Sequence, residues 1–264
     1  MTTEIKFGTD GFRGIIADDF TFKNVQRITG AIAAYLLEIS NHKTVLIGYD
    51  PRFMADKFAE FSAEILKNQG FNILLSSKVV PTPTIAYAAT IEPNCAGAVM
   101  FTASHNPKEY LGIKFIPNYG GPASKEITDK IISLIDTPFQ KQAANQGVIL
   151  KKDFSEEYFC RIEELIDFDA IKKSSPKFIY DGLFSASIGY FDELLKRNSI
   201  GFEAVNLYHD PNFGGNLPEP KAKFMKYKKQ GYLTFANDGD ADRYGVLDEN
   251  GEYVSPNLIM AILL

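Results

Sequence analysis

Cysteine, unbroken apolar stretches and clustered positive charge are all scarce in this chain, and each scarcity removes a class of protein. The 264 residues include two cysteines, Cys95 and Cys160, far apart in sequence. Such a pair makes neither a disulfide framework nor a metal knuckle. No apolar run is long enough to span a bilayer, so no membrane partner is expected. The N-terminal residues MTTEIKFGTDG contain no basic stretch followed by an apolar core, and no secretory signal is expected. The 28 basic residues are scattered, and the net charge is −5. Their densest run, Lys221 to Lys229, has helical spacing and reads as a solvated helix face, so no nucleic-acid partner is expected. Tandem repeats and low-complexity tracts are also missing. What remains is 45% hydrophobic and 23% charged, enough for a substantial core in one large domain or two ordinary ones. The expectation is a soluble cytoplasmic protein.

The apolar positions change period repeatedly along the chain. Phe22, Val25, Ile28, Ile32, Tyr35 and Leu36 recur at helical spacing behind Thr21, a good N-cap. TVLIGYD, from Thr44 to Asp50, reads as a buried strand, and a helix from Phe53 to Asn68 should end with Gly70 at the C′ position. FNILLSS, GAVMFT and GIKFIP read as further strands, TIAYAAT and SKEITDKIISLID as helices. Thr137 to Gln146 is polar and aperiodic, as an interdomain linker would be. Beyond it, EEYFCRIEELI, ASIGYFDELLKR and PKAKFMKYKKQ predict helices; KFIYDGL, FEAVNLYHD and YLTFAND predict strands. YGVLDENGEYV predicts a hairpin turned at Asn250-Gly251 in type I′ geometry. The fold class is therefore α/β: two consecutive layered domains with mixed sheets flanked by helices, residues 1–145 and 146–253. Ser255-Pro256 opens a final helix, NLIMAILL, apolar on all sides. It is expected to be the start of a third domain, 254–264, cut within the sequence, with a genuine buried C-terminal helix as the alternative.

Four segments could carry chemistry. In NDGDADRYG, Asp238, Asp240 and Asp242 alternate at the end of a strand. Converging carboxylates repel one another, and a hard divalent cation relieves the repulsion; Mg²⁺ suits few protein oxygens plus water or phosphate. A solvated acidic turn is the competing reading. An EF-hand calcium loop fits poorly, because its sixth place needs glycine and holds Arg243. In FTASHNPKEY, the Asn106-Pro107 pair turns the backbone and should leave Ser104 exposed at the mouth of the sheet, where α/β proteins bind ligands. Adjacency of Ser104 and His105 does not by itself make a dyad, and a capped polar turn is the alternative. FGTDGFRGI is glycine-rich and carries Thr9, Asp10 and Arg13, suited to approaching a phosphate or to a flexible turn. HDPNFGGNLPEP is a rigid or a ligand-adjacent loop.

Taken together these segments resemble the α-D-phosphohexomutase superfamily, the phosphoglucomutases and phosphomannomutases. TASHNP, from Thr102 to Pro107, is similar to its phosphoserine loop. DGDADR, from Asp238 to Arg243, is similar to its metal loop, and GTDGFRG, from Gly8 to Gly14, to its N-terminal signature. The resemblance implies a phosphorylated Ser104 and one Mg²⁺ held by Asp238, Asp240, Asp242 and a phosphoryl oxygen on Ser104. The implied reaction interconverts hexose 1- and 6-phosphates through a hexose 1,6-bisphosphate. His105 and Lys114 are the implied proton-transfer groups; Arg13, Thr9 and Arg243 are implied to hold phosphate. Asp50 and Arg52 are expected to form a supporting ion pair. Family enzymes have four domains, the third reading the sugar and the fourth clamping the non-transferring phosphate, so this chain alone is expected to turn over poorly. Two other function classes stay open: a non-catalytic metal-binding interaction module, and a phosphatase with an aspartate nucleophile.

Overall fold

The structure, a computed structural model, describes residues 5, 7–8, 11–137 and 146–264. The chain divides into two compact units, the first comprising Met1–Ala103 and Glu109–Phe154, the second Ser104–Lys108 and Ser155–Leu264. Most of the linker expected between residues 137 and 146 lies outside the described residues.

In the first unit, β1 (Phe12–Ile15), β2 (Thr44–Tyr49), β3 (Asn72–Ser76), β4 (Cys95–Phe101), β5 (Tyr110–Pro117) and β6 (Ile149–Lys152) form one sheet in the order β1-β5-β4-β2-β3-β6. β2 runs parallel to β3 and β4, and β3 parallel to β6; β5 is antiparallel to both β4 and β1. β4 is buried at every position, as its near-continuous apolar run requires of a strand covered on both faces. The period of two sorts β2 between the faces. Val45 and Ile47 join the cluster formed with α1 (Phe22–Ile39), α2 (Ala55–Asn68) and Ile131 of α4 (Lys125–Ser133). Gly48 points the other way, with Ile85 of α3 (Thr82–Ile91) against it. Helices therefore cover both faces. Thr21 caps α1 by accepting from Asn24 N, and Gly70 follows α2 at φ 90°.

Residues 146–154 stay with the first unit, later than the boundary expected at 145/146, because β6 pairs in parallel with β3. Its two apolar residues, Ile149 and Leu150, run straight into two lysines and gave little strand signal.

The second unit is built on β7 (Phe178–Asp181), β8 (Glu203–Val205), β9 (Leu233–Asn237), β10 (Tyr244–Leu247) and β11 (Tyr253–Val254), ordered β11-β10-β9-β7-β8. β8, β7 and β9 are parallel; β9, β10 and β11 form an antiparallel meander. Helices α5 (Ser155–Leu165), α6 (Phe168–Ser174) and α7 (Phe191–Arg197) accompany it. Phe178, Leu195 and Ile200 form one small core with Phe168 and Ile171 of α6. Leu183, Met225, Ala236 and Leu247 form another.

Several expectations fail here for identifiable reasons. PKAKFMKYKKQ is not a helix but a single turn over residues 222–224 followed by irregular chain. Lysines at i and i+3 (Lys223 with Lys226, Lys226 with Lys229) repel on a helix, while Met225 is drawn into the core. ASIGYFDELLKR becomes helical only from Phe191, and FEAVNLYHD is a strand only over Glu203–Val205. The hairpin turn is confirmed, but it is not type I′: Gly251 has φ 80° and Asn250 is not among the residues at positive φ. Asp248 organises it, accepting on Oδ1 from Asn250 N and Glu252 N. The last helix, α8 (Pro256–Leu263), starts as expected at Ser255, whose Oγ accepts from Leu258 N, and leaves Leu258, Met260, Ile262 and Leu263 exposed. Among the described residues no helix is long and apolar enough to cross a membrane.

Candidate active site

The carboxylate loop grows out of β9. Asp238 follows its last residue, and the chain reverses at once: Ala241 N donates to Asp238 O at 3.0 Å, and Asp238 N donates to Arg243 O at 3.3 Å. β10 then leaves antiparallel to β9, with Tyr244 opposite Asn237. Ala241 sits at φ 60°, the left-handed region that a residue with a Cβ enters at a cost. The tight reversal brings carboxylate oxygens of Asp238, Asp240 and Asp242 within 4.8 Å of one another. Asp238 and Asp240 are fully buried, whereas Asp242 is exposed beside the Arg243 guanidinium, 3.8 Å away.

Ser104 belongs by its contacts to the same unit as this loop. Its Oγ donates to Asp238 Oδ2 at 2.9 Å and lies 3.4 Å from His105 Nδ1. Ser104 too is left-handed, at φ 50°. The sequence placed it exposed at the mouth of a sheet. Instead it is 3% exposed, because its hydroxyl is taken up by the carboxylate and the Gly239 backbone lies against its carbonyl. A Cβ at Gly239 would come within 2.5 Å of Ser104 O, so this position admits no side chain.

Electrostatics define what the loop can hold. Burial, then the neighbouring Asp240 and Asp242 carboxylates, push the Asp238 carboxyl well above its usual range; the Ser104 hydroxyl and Arg243 N–H pull it back less strongly. Three oxygen donors converging with mutual repulsion are a set that a hard divalent cation satisfies, and the chemistry of the donors fits Mg²⁺. A phosphoryl group on the Ser104 oxygen would add oxygens to the same set.

The remaining residues singled out by sequence fall in two places. Arg243 is in the carboxylate loop, where its backbone is bonded to Asp238 on both sides. Arg13 and Lys114 are in the first unit: Arg13 on β1 pairs with Gly112 on β5, and Lys114 lies two residues further along β5. That register puts both on one face of the β1–β5 pair. Thr9 lies outside the described residues. Asp50 and Arg52 form the expected ion pair, fully buried at 3.1 Å. Asp50 Oδ2 also accepts from Thr102 Oγ1 at 2.7 Å, and Arg52 donates to Tyr110 O at 3.0 Å, so the pair braces the chain on both sides of the Ser104 segment.

Sequence reasoning missed the groups that grip the carboxylate loop from outside. Gly239 N donates to Pro218 O at 3.2 Å, and Gly239 O accepts from Ala186 N at 3.0 Å. Both are backbone bonds, with no side-chain signature. The one available sign was Asp181, an acidic residue closing an otherwise apolar strand.

Comparisons with known proteins identify relatives of the whole chain. The family model described as phosphoglucomutase/phosphomannomutase, alpha/beta/alpha domain I, matches residues 4–142, and that of domain II matches 156–251. A phosphoglucomutase of Staphylococcus aureus (strain bovine RF122 / ET3-1) is 30% identical over 99% of this chain and 52% of its own length. The chain thus spans about half the length of the curated relatives it matches. A Thermus thermophilus structure assigned as a phosphomannomutase superposes with a TM-score of 0.88 at 33% identity, over 97% of this chain and 60% of that one. The Paramecium phosphoglucomutase parafusin, in an open form, shares the fold with a TM-score of 0.81 at 21% identity, over 97% and 55%. With two domain models matched in succession along it, the chain belongs to the phosphoglucomutase/phosphomannomutase family of the α-D-phosphohexomutase superfamily.

Proposed function

We propose that this chain supplies the phosphoryl-carrying and cation-binding parts of a phosphohexomutase that interconverts hexose 1- and 6-phosphates through a phosphoserine at Ser104 and a hexose 1,6-bisphosphate. The observation that carries the reading is the 2.9 Å bond from Ser104 Oγ to Asp238, inside the converging carboxylates. A hydroxyl so placed is oriented by an acceptor, and its oxygen is beside the donors that would share a cation with a phosphoryl group.

In the forward half-reaction the bond from the Ser104 oxygen to phosphorus breaks as a bond forms from a sugar hydroxyl oxygen to phosphorus. The sugar hydroxyl gives up its proton to a base, for which His105 and Lys114 are the assigned groups. The bisphosphate then turns, and the other phosphoryl passes back to the Ser104 oxygen with the proton returned to the sugar. Arg13, Thr9 and Arg243 are assigned to phosphate oxygens, where a guanidinium offers paired donors. Asp238, Asp240 and Asp242 would hold Mg²⁺, which when bound offsets charge on the phosphoryl oxygens in a loose transition state. The matched relatives are about twice as long, so the chain by itself is expected to accept a phosphoryl group yet turn over hexose phosphate poorly. Its substrate is a glucose or mannose phosphate, and the site of action is the cytoplasm.

The test is a half-reaction. The chain is incubated with Mg²⁺ and glucose 1,6-bisphosphate, and the phosphate is located by peptide mapping. A hydroxylamine-stable phosphate on Ser104, missing in Ser104→Ala, is the expected result. A hydroxylamine-labile phosphate on an aspartate would replace this reading with the phosphatase one, and no phosphate in the presence of bound Mg²⁺ would leave the interaction module.

A further inference from the structure

Beside the carboxylate loop runs a segment that the reaction above does not use. Asp181 ends β7 and is fully buried. Its Oδ1 accepts from Leu183 N at 3.1 Å and from Asn206 Nδ2 at 2.8 Å, while Oδ2 has no hydrogen-bond partner among the described residues. Burial pushes its carboxyl above the usual range, against weaker pulls from Asn206 and Leu183.

The two residues tied to Asp181 open two loops, and both loops are strained. Leu183 and Phe184 are consecutive left-handed residues, at φ 42° and 59°, and Asn206 is left-handed at 51°. Left-handed conformations at branched and aromatic residues persist only where the surroundings enforce them. Here the enforcing contacts start at Asp181, and Gly182 N adds a bond to Val205 O at 3.0 Å. After Phe184 the segment closes on itself through buried hydroxyls: Ser185 Oγ is 2.7 Å from Ser187 Oγ, which is 2.5 Å from Tyr180 Oη. Between those two serines, Ala186 presents its N–H to Gly239 O. Gly239 is the residue between the two buried carboxylates Asp238 and Asp240, and Pro218 O holds its other peptide.

We infer that Asp181 is a positioning residue for the carboxylate loop: by fixing Leu183 and Asn206 it forces the 183–187 turn that presents Ala186 N–H to Gly239, and so sets the spacing of Asp238 and Asp240. The inference rests on the reading of that loop as a cation site. Asp181 touches neither the cation ligands nor Ser104 through any bond described above; it acts through one peptide. Groups that orient metal ligands from outside are worth about 10- to 100-fold in metal affinity when removed.

Mn²⁺ titration of the chain, read by the electron paramagnetic resonance of the free ion, tests this without any turnover. Thermal unfolding of each variant reports whether it is folded. Asp181→Ala should weaken Mn²⁺ binding about tenfold or more. Asp181→Asn keeps an oxygen that can accept from both donors and should stay within about threefold of the parent. Asn206→Ala, which cuts one tether and leaves the Leu183 bond, should fall between them. A folded Asp181→Ala binding Mn²⁺ like the parent overturns the inference, as does an Asp181→Asn no better than Asp181→Ala. If Asp181→Ala does not fold, Asn206→Ala decides alone, parent-like affinity counting against. A parent chain that binds no Mn²⁺ overturns the cation-site reading itself and the inference with it, whereas a binding parent with unaffected variants removes only the role of Asp181.

Discussion

The first unit buries apolar side chains on both faces of its sheet, Val45 and Ile47 on one and Leu46, Ile85 and Met100 on the other, whereas in the second small clusters gather around Phe178 and Leu195 and around Met225 and Leu247. Backbone strain is distributed the opposite way. Left-handed residues other than glycine in the first unit, such as Ala17, Met54 and Asn94, sit at turns and helix ends. In the second they include Ser104 and Ala241 in the reacting loops and Leu183, Phe184 and Asn206 beside them. Buried carboxyls differ in part, since Asp192 of the second unit is also ion-paired, with Lys196 at 2.8 Å. Asp50 is paired with a buried guanidinium, while Asp181 and Asp238 are bonded to amide and hydroxyl donors. The difference teaches where each unit's free energy goes. One is packed to be stable, and the other holds conformations and charges that are costly without a ligand.

The largest effects should come from breaking the packed unit. Phe20 is fully buried and meets Phe58 edge-on with ring centroids 4.9 Å apart. Phe20→Ala should cost about 3–5 kcal/mol in urea denaturation, against about 2–3 for Leu247→Ala in a small cluster that can collapse around the loss. Arg52→Met leaves Asp50 buried without its counter-charge and should also cost about 3–5 kcal/mol. It should in addition loosen the chain on both sides of Ser104, because Thr102 and Tyr110 are bonded to the same pair. Equal costs for the Phe20 and Leu247 variants would erase the contrast between the units.

How far this division could be read from the sequence depends on which interactions carry it. Helix α1 was legible from its period and from Thr21, and β2 and β4 from their apolar runs, because side chains determine them. The ion pair of Asp50 and Arg52 was legible from two residues of opposite charge at a strand end. The carboxylates of DGDADR were legible as a group because alternation at a strand end forces them together. Invisible were the burial of Ser104, the left-handed backbone at Ser104 and Ala241, and the Pro218 and Ala186 bonds to Gly239. All of these are set by backbone groups meeting across long sequence separations. The irregular chain at Lys221–Lys229 misled for a related reason: a single buried residue, Met225, outweighed the local period.

A second way to sharpen the contrast is pH. The Asp238 carboxyl is raised from its ordinary 3.8, by burial first and by Asp240 and Asp242 next. The folded chain therefore holds its proton where the unfolded chain has lost it. Stability from this source is complete below the ordinary value and is lost as pH rises toward the folded value. In the absence of divalent cation the unfolding free energy should fall as pH increases above about 4, by at most about 1.4 kcal/mol per pH unit. Asp238→Asn should flatten that slope. Saturating Mg²⁺ should reverse it, since the cation binds the ionised cluster. Thermal melts across pH with EDTA or with Mg²⁺ read all three, and a slope unchanged in Asp238→Asn would place its origin in other groups.

The smallest effect bears most directly on strain. Ala241 stands at φ 60°, between two carboxylates that the cation reading needs. An alanine there costs about 1–2 kcal/mol against its preferred conformations, part of which glycine would return to unfolded-state entropy. Ala241→Gly should therefore raise the urea midpoint by about 1 kcal/mol equivalent at unchanged slope. The same substitution in a helix interior such as Ala31, fully buried on α1, should destabilise instead. Opposite signs at two alanines would locate the stored strain in the carboxylate loop. A destabilised Ala241→Gly would mean that the loop is held left-handed at no cost, and that the strain lies elsewhere in the second unit.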